Sequence, residues 1–156
     1  MMVPHGRQRL GLGFVLTLAL SIFLVDQLAK YVVVSTMRLG ESIAIVPGIL
    51  GFAYTKNLGA AVGILGDRAS ILLLACIVSL AALMWLFRSF PASVYSRAGS
   101  GLLFGGAASN LVDRLLVGAV VDYVHLVGWV FNGADVAMGV GAVALTFSVL
   151  RSALSR

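Results

Sequence analysis

The sequence predicts an all-α membrane protein: a bundle of four transmembrane helices with a small extracytoplasmic β-rich element. The first observation is composition, since 60% of the 156 residues are hydrophobic and 11% are charged, against about 45–50% apolar and about 25% charged in soluble domains. The second is a set of four long apolar runs, at roughly 10–33, 69–87, 98–119 and 133–150. The chain length favours one domain, so residues 1–156 form a single membrane-embedded unit.

Each apolar run is long enough, or nearly so, to form a transmembrane helix. A helix of about 20 residues spans a hydrocarbon core of about 30 Å. The runs are continuous rather than alternating, which favours helices over the strands of a barrel. Arg7 and Arg9 precede the first run, as in a signal peptide, but no small-residue cleavage motif follows it. We therefore expect a retained helix.

The connection between the first two helices, roughly residues 36–68, is predicted to be the β-rich element. It contains two strand-like segments, ESIAIV and GILGFAYT, separated by Pro47–Gly48. A Pro-Gly pair between two such segments is a turn signal. The connection between the last two helices is much shorter, and we expect a simple loop there. Whether residues 123–134 act as a lid stays open at this point.

Small residues recur at intervals of four within and beside the apolar runs. Such spacing places them on one helix face, where they let membrane helices approach closely. The pairs are Gly59 and Gly63, Gly101 and Gly105, and Ala137 and Gly141. We expect them to lie at helix contacts.

The distribution of charge predicts the orientation in the membrane. Residues 1–10, 88–97 and 151–156 hold six of the eleven Lys and Arg residues and none of the six acids. Cytoplasmic segments carry an excess of Lys and Arg. A difference of six against five Lys and Arg residues is small. The side without acids, however, holds both chain termini and the short loop at residues 88–97. We therefore place both termini in the cytoplasm.

Polar residues cluster near the outer ends of the predicted helices, on the side opposite the cytoplasm. They are Asp26, Lys30, Asn57, Asn110, Arg114, Asp122, Asn132 and Asp135. Simple structural roles are open to several of them. Asp26 and Lys30 suit an interfacial ion pair, Asn132 suits a helix cap, and Tyr123 and Trp129 suit an aromatic belt. Ionisable groups in or near a membrane are costly, however, and a whole cluster of them indicates a functional site.

Asp122 and Asp135 are the candidate catalytic residues. Two carboxylates in a low-dielectric site share one proton, which is the arrangement of the aspartic proteases. A serine or cysteine nucleophile would need a base beside it, and Cys76 lies in a plain apolar run. One cysteine and two histidines also predict no metal site. The basic residues are scattered singly, so nucleic acid is not an expected partner.

Five segments resemble the lipoprotein signal peptidase (signal peptidase II) family of bacteria. They occur in the order found in the family and extend over nearly the whole chain. They are DQLAK (26–30), TKNLGAAVG (55–63), GGAASNLVDR (105–114), VVDY (120–123) and FNGAD (131–135). The resemblance implies a multi-pass protein of the bacterial cytoplasmic (inner) membrane, with cytoplasmic termini and an active site near the outer face.

The resemblance also implies an aspartic endopeptidase whose catalytic pair is Asp122 and Asp135. Its substrate would be a prolipoprotein that already carries diacylglycerol, cut just before the lipidated cysteine. Membrane lipid would be the other partner, with no cofactor and no metal, and we expect a monomer. Asp113 also lies in a matching segment, but beside Arg114 we expect it to point elsewhere and to be structural. The residues expected to support the pair or bind substrate are Asn110, Arg114, Asn132, Asp26, Lys30, Asn57, Gly59 and Gly106.

Two other functions stay open beside the peptidase. A small four-helix transporter would also use buried carboxylates, although transporter sites lie near the bilayer midplane and these acids lie at helix ends. A membrane scaffold would use the polar residues only as anchors. A scaffold predicts that Asp122 and Asp135 each tolerate replacement by Asn.

Overall fold

A computed structural model of the chain describes residues 5–58, 69–86 and 90–155. Within these ranges the chain forms four helices and four strands. In order they are α1 (His5–Thr36), β1 (Ser42–Val46), β2 (Leu50–Asn57), α2 (Ala69–Leu86), α3 (Val94–Leu116), β3 (Val120–Leu126), β4 (Trp129–Phe131) and α4 (Gly133–Leu154). All four predicted helices are present, and their ends differ from the predicted ends by at most a few residues.

Two of the helices in the described residues are long and apolar enough to cross a membrane. They are the Gly11–Thr36 part of α1 and the whole of α4. Helix α2 contains a shorter apolar segment, Cys76–Trp85. Helix α3 is 23 residues long but buries polar side chains, among them Ser109, Asn110 and Asp113. The sequence prediction of four helices is therefore confirmed, while the number that cross the membrane stays a prediction.

Helix α3 lies against both α1 and α4, and small residues form both contacts. A Cβ at Gly105 would lie 2.5 Å from the carbonyl oxygen of Ala19 in α1. A Cβ at Gly141 in α4 would lie 2.8 Å from the carbonyl oxygen of Gly99. The predicted role of small residues in helix packing is thus confirmed at Gly105 and Gly141. Gly59 and Gly63 lie outside the described residues.

The four strands form one antiparallel sheet in the order β1-β2-β3-β4. The predicted hairpin of β1 and β2 is confirmed, with its turn at Pro47–Gly48. Gly48 has φ of 74°, a left-handed conformation that glycine adopts without a steric penalty. The β-rich element of the sequence prediction is therefore half of the observed sheet.

The other half of the sheet, β3 and β4, corrects the prediction of a simple loop between the last two helices. These strands form a second hairpin, whose turn contains Val127 at φ 47° and Gly128 at φ 83°. Valine rarely adopts positive φ, so the sequence carries a weak turn signal here. The Val127 amide donates to the Ile49 carbonyl at 2.8 Å. That bond between the two hairpins holds the turn in place.

A small apolar cluster packs the sheet against α1. It consists of Val33 from α1, Tyr54 from β2, and Val121 and Tyr123 from β3. The aromatic-belt interpretation of Tyr123 is therefore wrong, because its ring is buried. Trp129, in contrast, is 78% exposed. The packing of β3 onto α1 brings the Asp122 strand close to the polar ends of the helices.

Candidate active site

Asp122 lies on β3 and is 1% exposed. Two asparagine amides donate to its carboxylate: Asn57 Nδ2 to Oδ2 at 2.9 Å and Asn132 Nδ2 to Oδ1 at 2.6 Å. Asp122 pairs with Thr55 on β2, and Asn57 is two residues farther along. Since side chains alternate along a strand, Asn57 lies on the same face as Asp122 and reaches it diagonally.

The surroundings of Asp122 favour its protonated form. Burial raises the pKa of this carboxyl above its ordinary value of 3.8, and the charge of Asp135 adds to that effect. The two asparagine bonds and the charge of Lys30 act in the opposite direction and lower the pKa. Burial is the largest of these effects. Asp122 is therefore an acid whose proton is held more strongly than that of an exposed aspartate.

Asp135 lies in the first turn of α4, and Asn132 is the N-cap of that helix. The Asp135 amide donates to Asn132 Oδ1 at 2.9 Å, and the Asn132 amide donates to Asp135 Oδ2 at 3.4 Å. This reciprocal pair is a capping box. The other carboxylate oxygen, Asp135 Oδ1, accepts from Asn110 Nδ2 at 2.9 Å. The predicted capping role of Asn132 is thus confirmed.

Asn132 also joins the two aspartates. Its side-chain nitrogen donates to Asp122, while its side-chain oxygen and its backbone amide bind Asp135. Asn132 is fully buried, so it holds both carboxylates at one place between the sheet and the start of α4. The two residues that the sequence predicts as a pair therefore lie together in the structure.

Lys30 lies at the centre of a buried polar cluster next to Asp135. Its ammonium group is 2.7 Å from Asp26 Oδ2 and 2.7 Å from Asp113 Oδ2, and it donates to Asn110 Oδ1 at 3.0 Å. Asp26 and Lys30 are 2% and 3% exposed. The interpretation of these two residues as an interfacial ion pair with a snorkelling lysine is therefore wrong. They form an internal support for the site.

Asp113 takes a larger part in this cluster than the sequence suggests. Its Oδ2 accepts from Lys30 and from the Val121 amide at 3.0 Å, and its Oδ1 accepts from Gln27 Nε2 at 2.8 Å. The expectation that Asp113 points away from the site is wrong, although its role is structural as expected. Residues three apart share a helix face, so its spacing from Asn110 is the signal that could have placed it.

Ser109 was missed by sequence reasoning, and it is fully buried. Its hydroxyl donates to Asp26 Oδ2 at 2.6 Å and accepts from Gln27 Nε2 at 3.0 Å. A serine beside two glycines and two alanines reads as a small packing residue. Only its position against α1 makes it part of the polar cluster.

The remaining predicted site residues have different positions. Gly106 permits contact between α3 and α4, because a Cβ there would lie 2.6 Å from the Ala134 carbonyl oxygen. Arg114 Nη1 donates to the Asn110 carbonyl at 3.2 Å. No bond or ion pair between Arg114 and either aspartate occurs in the described part of the chain. Gly59 lies outside the described residues.

The described residues contain no group of three His, Cys, Asp or Glu side chains suited to a metal ion. Their donors and acceptors are arranged instead around the two aspartates. Amides bind both carboxylates, and a buried lysine orients one of those amides. This arrangement can hold a proton on a carboxyl pair.

A profile of the signal peptidase (SPase) II family matches residues 18–151. This chain belongs to the signal peptidase II family. The lipoprotein signal peptidases of Staphylococcus aureus strains JH9 and Newman are each 30% identical to it over 146 residues, which is 90% of this chain and 90% of theirs. Since signal peptidase II is a peptidase, the transporter alternative is not favoured.

Two solved structures of bacterial membrane enzymes, determined by the in meso method, share the fold of this chain. The structure at 2.3 Å resolution has a TM-score of 0.81 and 29% identity, with 92% of each chain covered. The structure at 1.9 Å has a TM-score of 0.80 and 30% identity, with 88% of this chain and 93% of that one covered. The helices and the sheet are thus arranged as in known membrane enzymes.

Proposed function

We propose that this chain is an aspartic endopeptidase that removes the signal peptide from diacylglyceryl-modified bacterial prolipoproteins, cutting just before the lipidated cysteine. The observation that carries the proposal is the bridge formed by Asn132 between Asp122 and Asp135. Family membership supports the peptidase activity, and the bridged carboxylates supply its chemistry. Asp122 and Asp135 are the catalytic pair.

The pair acts with one shared proton. The ionised carboxylate takes a proton from a water molecule as the water oxygen bonds to the scissile carbonyl carbon. The protonated carboxyl gives its proton to the carbonyl oxygen, and a gem-diol forms. When the diol collapses, the C–N bond breaks, the leaving nitrogen takes a proton from one carboxyl, and a diol hydroxyl returns a proton to the other. The pair titrates as a unit, and burial of Asp122 favours retention of the shared proton.

The site lies at the outer face of the cytoplasmic membrane. In this topology four helices cross the bilayer and both termini are cytoplasmic. The excess of Lys and Arg without acids in residues 1–10, 88–97 and 151–156 supports that orientation. The acyl chains of a lipidated cysteine stay in the bilayer, so the peptide bond before the cysteine lies near the interface. The aspartates, at the junction of the sheet and the helix ends, are at a suitable depth.

The enzyme acts as a monomer on a prolipoprotein within the lipid bilayer. Asn110 and Asn132 position the two carboxylates, while Asp26 and Lys30 support them from inside the bundle. Arg114, at the end of α3, and Asn57, at the end of β2, are the candidates for substrate contacts. The hairpin of β3 and β4 borders the site and is the candidate lid.

The test compares the wild-type chain with Asp122→Asn and Asp135→Asn, each purified in detergent. Each protein is mixed with a diacylglyceryl-modified prolipoprotein, and release of the signal peptide is followed by gel shift. Either substitution is expected to lower the rate by at least about 10⁴-fold, as for removal of a catalytic group that acts in a unit. Thermal unfolding shows whether each variant is folded.

Glu41→Gln is the matched control, because it also replaces a carboxylate by an amide. Glu41 is exposed and accepts from the Arg38 amide at 2.7 Å, outside the proposed site. Its substitution is expected to leave cleavage within about twofold of wild type, as for a surface change. Full cleavage by both aspartate variants would contradict the aspartic mechanism. A folded wild type that does not cut a competent substrate would contradict the proposed function itself.

A further inference from the structure

Tyr123 and Gly133 form an unusually close pair beside the two aspartates. Tyr123 follows Asp122 on β3, and Gly133 is the first residue of α4, two residues before Asp135. The Gly133 amide donates to the Tyr123 hydroxyl at 3.0 Å. A Cβ at position 133 would lie 2.7 Å from the same hydroxyl oxygen, closer than a side-chain carbon normally approaches. The hydroxyl therefore occupies the space that the glycine leaves open.

The Tyr123 hydroxyl also connects the pair to Asp26. It donates to Asp26 Oδ1 at 2.9 Å, and the Ala134 amide donates to the same oxygen at 3.0 Å. The other oxygen of Asp26 binds Lys30 and Ser109. Asp26 of α1 therefore binds Tyr123, which follows Asp122, and Ala134, which precedes Asp135.

These bonds satisfy the backbone amides in the first turn of α4. The Gly133 amide binds Tyr123, the Ala134 amide binds Asp26, and the Asp135 amide binds Asn132. The first amides of a helix have no partner within the helix. Here their partners come from α1, β3 and the helix cap, so the start of α4 is fixed relative to the strand that carries Asp122.

We propose that Tyr123 is a positioning residue of the catalytic pair: its hydroxyl, seated in the space at Gly133, sets the separation of Asp122 on β3 from Asp135 on α4. This inference rests on the proposed function. Tyr123 does not touch the reacting atoms and acts through the position of its neighbours. A methyl group at position 133 pushes the hydroxyl, and with it β3, away from α4. Removal of the hydroxyl leaves room for that methyl group.

The Tyr123 hydroxyl keeps its proton to higher pH than the hydroxyl of an exposed tyrosine does. Burial and the charge of Asp26 both raise the pKa of Tyr123 above its ordinary value of 10.0. The Tyr123 hydroxyl therefore remains a hydrogen-bond donor to Asp26 at neutral pH. Loss of the hydroxyl is expected to lower kcat by the same factor across the pH profile, without moving the acidic limb. A change in the charge of the pair itself would move that limb.

The experiment is a double-variant cycle with Tyr123→Phe, Gly133→Ala and the two combined, measured as kcat and KM on the lipidated prolipoprotein. Tyr123→Phe removes both hydrogen bonds of the hydroxyl. It is expected to lower kcat about tenfold, with KM within about twofold. Gly133→Ala alone is expected to lower kcat about 100-fold, because small displacements of catalytic groups have effects of that size. In the Tyr123→Phe background, the same Gly133→Ala change is expected to lower kcat by less than about threefold. The small remaining loss is due to the nearby Asp26 oxygen.

Two controls match the substitutions. Tyr31→Phe removes a hydroxyl from a tyrosine of α1 that is 70% exposed. Gly139→Ala adds a methyl group to α4 where no atom lies within 4 Å. Both are expected to keep wild-type kcat. A loss of kcat caused simply by removing a tyrosine hydroxyl, or by adding a methyl group to a glycine of α4, would appear in these variants as well.

The inference is overturned if Gly133→Ala lowers kcat by the same factor with and without the Tyr123 hydroxyl. It is also overturned if folded Gly133→Ala, as a single variant, has full activity. If Gly133→Ala does not fold, recovery of a folded, active protein in the combined variant supports the inference. A combined variant that stays unfolded while Tyr123→Phe folds contradicts it. The proposed function is tested separately by the aspartate variants, because it fails only if wild type does not cleave or if those variants do.

Discussion

Lys30 Nζ donates to Asn110 Oδ1 at 3.0 Å, and the same asparagine donates through Nδ2 to Asp135 at 2.9 Å. The lysine fixes which end of the amide faces the carboxylate, since only the oxygen end can accept from an ammonium group. Asn110 thereby always presents a donor to Asp135. A buried cation in α1 thus controls the orientation of a group that binds one member of the proposed catalytic pair.

Lys30→Met is expected to destabilise the protein strongly. The change leaves Asp26 and Asp113 buried without their shared cation. Removal of one partner from a buried ion pair costs about 3–5 kcal/mol. Chemical or thermal unfolding in detergent measures the loss. Lys56→Met on β2, where the lysine is exposed, is the control and should change stability by less than about 0.5 kcal/mol. Equal stability of the two variants would show that the cluster is not held by its charges.

Asn57→Ala is expected to move the acidic limb of the pH–rate profile to higher pH. The Asn57 bond favours the ionised form of Asp122 and lowers its pKa, against the effect of burial. Without this bond the pKa rises further, and a smaller fraction of the pair has a carboxylate ready to act as base at acidic pH. A shift of up to about one pH unit corresponds to about 1.4 kcal/mol, the scale of one hydrogen bond to a charged group.

The measurement for Asn57→Ala is kcat/KM against pH, with Ser42→Ala on β1 as the control. Ser42 is exposed and lies in the same sheet, but no bond connects it with Asp122. Its profile should coincide with that of wild type. An acidic limb that stays in place in Asn57→Ala, or moves to lower pH, would mean that the asparagine bond does not control the ionisation of the pair.

Asn132 combines two roles that a pair of substitutions can separate. Asn132→Ser keeps an oxygen that can cap α4 but has no amide to donate to Asp122. Asn132→Ala loses both functions. Serine is expected to keep near-wild-type stability and to lose at least about tenfold in kcat, while alanine should also lose about 1 kcal/mol of stability. Unfolding and kinetics on the same samples give both values. Equal activity of wild type and Asn132→Ser would remove Asn132 from the positioning of Asp122.

Much of the site could be predicted from the sequence because its residues are rare in an apolar chain. Asp122, Asp135, Asn110, Asn132 and Lys30 all lie together in the structure, as expected. Arg114 was expected to support the pair or bind substrate, and its guanidinium instead donates to the Asn110 carbonyl. The direction of a long side chain depends on its neighbours, so the sequence did not predict this contact. The buried state of Asp26 and Lys30 was also missed, since spacing along α1 does not show what covers that face.

The sequence by itself determined the helices, the first hairpin and the identity of the candidate catalytic pair. Long apolar runs form helices in lipid whatever they contact, and a Pro-Gly turn acts locally. Only the tertiary structure decided the second hairpin, the burial of Tyr123 and the inclusion of Asp113 and Ser109. Strand β3 is stabilised by pairing with β2, which is more than sixty residues away in the chain. Tyr123 fits only because Gly133, from another element, leaves space for its hydroxyl. The local sequence indicates little about such long-range contacts. Each partner alone is equally compatible with a loop, an aromatic belt at the membrane interface or a packing surface.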